Sequence, residues 1–226
     1  MKKKFRVKIS PSILDSNFAE IKKTIKILER AKVNYIHFDV MDGNFVPNLT
    51  FGPKLIKPLR RLTKLPFDTH LMIKTPGRYI KDYVKAGSDI ITFHFEAAKN
   101  PAAVIRQIKK AGLKAGMSIK PKTPVKKILK YVKDLDLILI MSVEPGFGGQ
   151  KFMKKVLTKA KILRKSIDEN KYKCLIEIDG GINTETAPLA CSAGVDIIVA
   201  GSFIFKSKNP KKTIADLRKS VERCRQ

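Results

Sequence analysis

The chain has three histidines, His37, His70 and His94, and each stands near the end of a segment that reads as a β-strand. The clearest is Asn34-Tyr35-Ile36-His37-Phe38-Asp39-Val40-Met41-Asp42-Gly43. Side chains alternate faces along a strand, so His37, Asp39 and Met41 share one face, while Ile36, Phe38 and Val40 share the other. A second segment, 67–72, puts His70 and Met72 together, and a third, 173–179, ends at Asp179. His37, Asp39, His70 and Asp179 form a two-imidazole, two-carboxylate set. Such a set suits one divalent transition metal ion per chain, Zn, Fe, Mn or Co. Asp42 has the opposite parity to Asp39 and precedes Gly43, so turn formation accounts for it. For His94, lining a pocket and simple packing stand equally open. Met41, Met72 and Met141 lie beside the proposed ligands and read as a soft apolar lining, although methionine also serves as ordinary core filler.

Three glycine-bearing turns add an anion-binding chemistry. They are Pro145-Gly146-Phe147-Gly148-Gly149-Gln150, Gly180-Gly181 and Gly201-Ser202. Backbone N–H groups left open by glycine at the start of a helix can hold a phosphate.

These residues need elements to position them. Strands are expected over 5–10, 34–43 (running into a tight turn at Asp42-Gly43), 67–72, 89–95, 113–119, 137–143, 173–179 and 195–200. Helical patterns separate them: Phe18, Ile21, Ile25 and Leu28 recur at helical spacing, with Asp15, Ser16 or Asn17 as the cap. A helix over 101–111 stops at Gly112, another is expected over 125–132, and Ile214, Leu217, Val221 and Cys224 mark the last. Eight strand–helix alternations predict a (β/α)8 barrel occupying 1–226 as a single domain. A doubly wound open sheet is the runner-up, but its phosphate loop usually follows the first strand. In a barrel the strand ends converge on one mouth, and phosphate often binds beside the seventh and eighth.

The bulk properties exclude other classes. Three scattered cysteines, Cys174, Cys191 and Cys224, make no framework and fit a reducing compartment. No apolar run reaches membrane-spanning length, and no signal-peptide core follows Met1. A cytoplasmic protein without a membrane partner is expected. The net charge of +27 could attract polyanions or a phosphorylated substrate, but the lysines are spread over the whole chain. No basic cluster is interleaved with aromatics as a nucleic-acid platform requires.

Taken together, Ser10-Pro11-Ser12-Ile13-Leu14, the run from His37 to Gly43 with Phe45-Val46-Pro47-Asn48, His70-Leu71-Met72, and the three glycine turns closely resemble the ribulose-phosphate 3-epimerase family over essentially the whole chain. The resemblance implies a barrel interconverting D-ribulose 5-phosphate and D-xylulose 5-phosphate through a metal-stabilised enediolate. It implies that His37, Asp39, His70 and Asp179 hold the metal, that Asp39 and Asp179 are the acid/base pair, and that Ser10 contacts substrate. The phosphate would lie on Gly146, Phe147, Gly148, Gly149, Gly180, Gly181, Gly201 and Ser202. A homo-oligomer with no specific nucleic-acid partner completes the expectation. Phe203, where a small residue is more usual, and the basic surplus depart from the family pattern. The chemistry suits the residues independently: inverting a carbon beside a ketone needs one group to remove a proton and another to return it. A free aspartate, with a pKa of about 3.9, is a weak base for this, and a cation offsets the deficit. An epimerase for a related ketose such as allulose 6-phosphate would share these motifs, whereas a nucleic-acid-binding barrel is suggested by charge alone. Polyanion binding is therefore expected to be weak and to fall steeply with salt in a DNA shift assay. Tight, sequence-selective binding at about 0.15 M salt would restore the nucleic-acid reading.

Overall fold

All eight expected strands form, and all pair in parallel: β1 (Lys8–Pro11), β2 (Ile36–Met41), β3 (Phe67–Met72), β4 (Ile90–His94), β5 (Lys114–Ile119), β6 (Leu137–Met141), β7 (Leu175–Asp179) and β8 (Ile197–Ala200). The computed structural model describes residues 7–222 and 224, so Phe5 and Arg6 of the expected first strand lie outside the described residues. The pairing order β1-β8-β7-β6-β5-β4-β3-β2 returns almost to its start. β1 and β2 meet through a bridge between Ser12 and His37 and through the Asn34 and Tyr35 amides, both donating to Ile9 O. The result is a nearly closed barrel with helices between the strands.

The strand parity read from sequence holds. Ile36, Phe38 and Val40 join the core between sheet and helices, where the Phe38 ring lies 4.7 Å from Phe67. α1 (Ile21–Arg30) buries Ile25 and Leu28 and is entered through a short 3₁₀ turn whose cap is Asn17, accepting from the Ala19 amide. α2 (Pro101–Lys110) has Asn100 as its cap and a proline in its first turn, where the missing N–H costs nothing. One element differs: 125–134 forms two 3₁₀ segments instead of an α-helix. Val125, Ile128 and Val132 are nevertheless buried, so the apolar spacing does its packing work. A segment this short, entered through Pro124, gains little from α-helix propagation.

A second cluster fills the barrel interior: Tyr35, Ile90, Leu137, Leu139, Met141, Val143 and Ile197. The register sets polar residues beside and above it. Asp39 pairs with His70, His37 with Asp68, Met141 with Asp179, and Leu139 with Glu177. The inward strand ends thus carry chemistry, while the residues at the foot of the barrel fill space.

The turn after β2 is fixed by Asp42. Its carboxylate accepts from the Asn44 and Phe45 amides at 2.9 Å and from the Lys74 amide at 2.8 Å. Partial burial raises its pKa, but the bonds from Phe45, Lys74 and Asn44 outweigh this and lower it. Asp42→Ala is expected to destabilise the protein by about 1–3 kcal/mol near neutral pH, as for lost bonds to a charged group. With a lowered folded pKa, this contribution is present above the unfolded value of about 3.9 and is lost as pH falls through the folded value. Urea melts across that range should show the wild-type advantage shrinking in acid; a gap independent of pH would contradict the account.

Candidate active site

Strands β2, β3 and β7 deliver His37, Asp39, His70 and Asp179 to one place, with ligating atoms all within 4.8 Å of one another. Asp39 lies between the histidines: His70 Nδ1 is 3.1 Å and His37 Nε2 3.5 Å from its Oδ1. The Ser12 hydroxyl donates to Asp39 Oδ2 at 2.5 Å. His37 Nδ1 meets Asp68 Oδ2 at 2.7 Å, but its Nε2 is buried without a hydrogen-bond partner. Asp179 is held from behind, since Ser142 Oγ donates to the carbonyls of Asp179 and Gly180, both at 2.7 Å.

The electrostatics follow from crowding carboxylates in a dry space. Burial raises the Asp39 pKa, but the His37 charge 3.5 Å away and the bond from His70 prevail and hold it well below the usual range. Burial pushes Asp179 up to about 7, helped by the Asp39 charge. Burial works against a charged His37, yet Asp68 and Asp39 raise its pKa well above normal. Glu177, buried in the same interior, is pushed well up by desolvation and then by the Asp68 charge.

These residues fit a divalent cation. The set has two imidazoles and two carboxylates, the donor mixture of transition-metal sites. One buried imidazole nitrogen lacks a partner. Without a cation the cluster supplies positive charge by protonating His37 and relieves negative charge by protonating Asp179.

Above this cluster opens a cleft lined by Asp39, Asp179, Met41, Met72 and Met141, by Gly146, Phe147, Gly148 and Gly149, and by Gly180, Gly181, Gly201 and Ser202. The three glycine turns therefore do meet at one site. They fit closely: Gly181 has φ +63°, and a Cβ there would sit 2.5 Å from the Phe152 amide nitrogen. The loop after β6 is further tied by Asn48 Nδ2 donating to Gly146 O at 2.6 Å and by Gln150 Nε2 donating to the carbonyls of Glu144 and Phe147.

His37 and His70 lie beneath the cleft floor. Ser10 also lies below, with its hydroxyl 3.3 Å from Asp68 Oδ2, whereas Ser12 lines the cleft. β1 continues through Pro11, so Ser12 is the serine that reaches the mouth. Phe203 packs against the hydrophobic core. His94 is fully buried, with its Nε2 2.9 Å from His70 Nε2. Two further residues escaped the sequence reading. Asp68 and Glu177 form a second group with His37, and strand parity alone would have put them on the faces of His70 and Asp179. Asp15 was considered only as a cap but lines the cleft; a Cβ on Gly148 would come within 2.5 Å of its carboxylate.

A nearly closed parallel barrel with a cation-compatible cluster at its C-terminal mouth has the layout of a (β/α)8 enzyme. The family model described as "Ribulose-phosphate 3 epimerase family" matches residues 8–205. The ribulose-phosphate 3-epimerase of Bacillus subtilis (strain 168) is 47% identical over 215 residues, covering 95% of this chain and 99% of that one. The "Ribulose-phosphate 3-epimerase, cytoplasmic isoform" of Oryza sativa subsp. japonica is 44% identical, covering 95% and 94%. The chain belongs to the ribulose-phosphate 3-epimerase family and so to the epimerase class of enzymes. Among solved structures, KGPDC from Streptococcus mutans superposes with a TM-score of 0.73 at 15% identity, covering 98% of this chain and 100% of that one. At that identity the likeness is one of fold. No helix among the described residues is long and apolar enough to cross a membrane.

Protein stripped with chelator should take up one divalent cation per chain, read by elemental analysis, with a rise in Tm from binding to the folded state. Asp179→Asn and His37→Ala should each weaken uptake by more than the ~10–100-fold of a lost supporting partner. Unaltered uptake in both variants would remove the cluster as the site.

Proposed function

We propose that the chain interconverts D-ribulose 5-phosphate and D-xylulose 5-phosphate by inverting C3 through two carboxylic groups. The observation that carries this reading is the entry of Asp39 from β2 and Asp179 from β7 into one cleft beside the three glycine turns. β2 and β7 are separated by β1 and β8 in the barrel, so the carboxyls reach a bound carbon from different directions. Family membership and the names of the relatives support the substrate.

In one direction Asp39 removes the C3 proton and Asp179 delivers a new proton to the opposite face; in the other direction the roles exchange. The depressed Asp39 and elevated Asp179 suit this division, one group an ionised base and the other able to carry a proton near neutrality. His37, Asp39, His70 and Asp179 would hold Zn, Fe, Mn or Co. Bound there, the cation would supply Lewis-acid stabilisation of the charge developing on the substrate carbonyl oxygen, worth several kcal/mol. The Ser12 hydroxyl orients Asp39 and stands in reach of the cleft, which makes it, in place of Ser10, the serine to contact substrate. Met41, Met72 and Met141 keep the reacting carbon in an apolar wall that adds no competing proton donor. The turns at Gly146–Gly149, Gly180–Gly181 and Gly201–Ser202 receive the phosphate. The name of the rice relative supports a cytoplasmic setting.

Incubation of the purified enzyme with D-ribulose 5-phosphate in deuterated water, followed by NMR, is expected to give D-xylulose 5-phosphate carrying solvent deuterium at C3. Asp39→Asn and Asp179→Asn should each lower kcat by at least the ~10²–10⁴ of a lost general acid or base. Substantial return of the original C3 hydrogen to product, or a near wild-type rate in Asp179→Asn that still holds its cation, would refute the two-base assignment. A marked preference for allulose 6-phosphate in parallel assays would move the substrate to the hexulose series.

A further inference from the structure

His94 ends β4 and lies outside the four-residue cluster, yet it belongs to a continuous polar chain. Its Nε2 is 2.9 Å from His70 Nε2, and its Nδ1 is 3.2 Å from Glu96 Oε2. Glu96 is anchored in turn, accepting from the Lys120 amide at 2.9 Å and from the Thr123 hydroxyl. At the other end of the chain His70 Nδ1 faces Asp39 Oδ1. Asp39, His70 and His94 are buried, and the Glu96 side chain is about one-fifth exposed.

The proton inventory of this path has one consistent solution when the cluster holds a cation. A ligating imidazole nitrogen presents a lone pair, and a neutral ring then carries its hydrogen on the other nitrogen. His70 Nδ1 is the nitrogen that faces the cluster, so Nε2–H points at His94. That hydrogen needs an acceptor, and the neighbouring atom is His94 Nε2. A neutral His94 must therefore carry its hydrogen on Nδ1, where the Glu96 carboxylate accepts it. A charged His94 would set its own Nε2–H against the His70 Nε2–H across 2.9 Å, so the geometry requires the neutral ring. Glu96 stays ionised because the bonds from His94, Thr123 and Lys120 overcome its burial. Every donor in the path then has an acceptor.

Resting on the reading of His37, Asp39, His70 and Asp179 as a cation site, we propose that His94, backed by Glu96, is a positioning residue that fixes the tautomer and ring plane of His70. It presents His70 Nδ1 to a divalent cation as a lone pair. Packing alone does not require this arrangement. Phe45 packs against the His94 ring, tilted by 46° at 4.7 Å between centroids, and a phenyl ring at position 94 would preserve that packing while offering no acceptor.

The test uses Zn²⁺ as probe on the full chain. Ring ¹⁵N NMR of Zn²⁺-loaded wild type should show His94 with hydrogen on Nδ1 and His70 with hydrogen on Nε2. In chelator competition, His94→Phe should bind Zn²⁺ about 10–100-fold more weakly, the usual loss on removing a partner of a ligating histidine. His94→Gln, whose amide oxygen can accept the His70 hydrogen, should recover most of that affinity. The visible spectrum of Co²⁺-loaded His94→Phe should differ from wild type, because the His70 ring is free to turn. Equal Zn²⁺ affinity in wild type and His94→Phe would overturn the proposal. So would hydrogen on His94 Nε2 in the wild-type spectrum, which remains decisive if His94→Phe does not fold. Wild type that binds no Zn²⁺ would instead bring down the cation site itself.

Discussion

Like charge packed into a dry barrel mouth is the constraint on which this structure depends. Asp39, Asp68, Glu177 and Asp179 all reach the same interior, with two histidines among them. Two like charges about 4 Å apart repel by roughly 4 kcal/mol even at an effective dielectric of ~20. Four ionised carboxyls there would be ruinous to a domain whose net stability is of the order of 5–15 kcal/mol. The shifts all run in the direction that lowers the negative charge: burial pushes Glu177 well up and Asp179 up to about 7, and the neighbouring carboxylates raise His37 well above its ordinary value. A divalent cation meets the constraint more directly. On the proposed reading it would let Asp39 and Asp179 sit close together while each remained able to exchange a proton with the substrate.

The surrounding residues are arranged to keep that crowd in register. Asp68 fixes the Nδ1 side of His37, leaving Nε2 toward the cluster. Ser12 fixes Asp39 through the same bridge that brings β1 to β2. Ser142 fixes the Asp179 backbone. Each of these contacts joins a different pair of strands, so closing the barrel and ordering the site are one event. Tyr35, Ile90, Leu137 and Ile197, nearer the strand starts, give the polar layer an apolar floor and exclude the water that would otherwise weaken the interactions above it.

Much of this was legible in the sequence because the relevant information is local. Strand parity placed His37, Asp39 and Met41 on one face, and the eight alternations gave the barrel. Asp42 was correctly separated from Asp39 because its role lies within the next few residues. What the sequence did not disclose depends on register between distant strands. Ser10 and Ser12 have the same parity, and only the pairing of Ser10 with Val199 and of Ser12 with His37 decides which is higher. Likewise, nothing near His37 announces Asp68 as its partner, because they meet across β2 and β3. His94 is open between pocket and packing in the sequence, since one partner, His70, comes from β3 and the other, Glu96, is fixed by the segment after β5.

The barrel also divides its labour around the mouth, and Asp179 is where the divisions join. Strands β2 and β3 supply most of the cation-compatible set, while the glycine turns follow β6, β7 and β8. Asp179 belongs to the first group by its side chain and to the second by its backbone, because Gly180 and Gly181 follow immediately. A φ of +116° at Gly180 and +63° at Gly181 lets the chain turn sharply away after the carboxyl, under the loop from β6. On the reading proposed above, two or three backbone residues with little freedom separate the Asp179 carboxyl from the turn that would receive the phosphate. Binding energy gathered there would then hold C3 between the carboxyls, which is how remote contacts raise turnover as well as affinity.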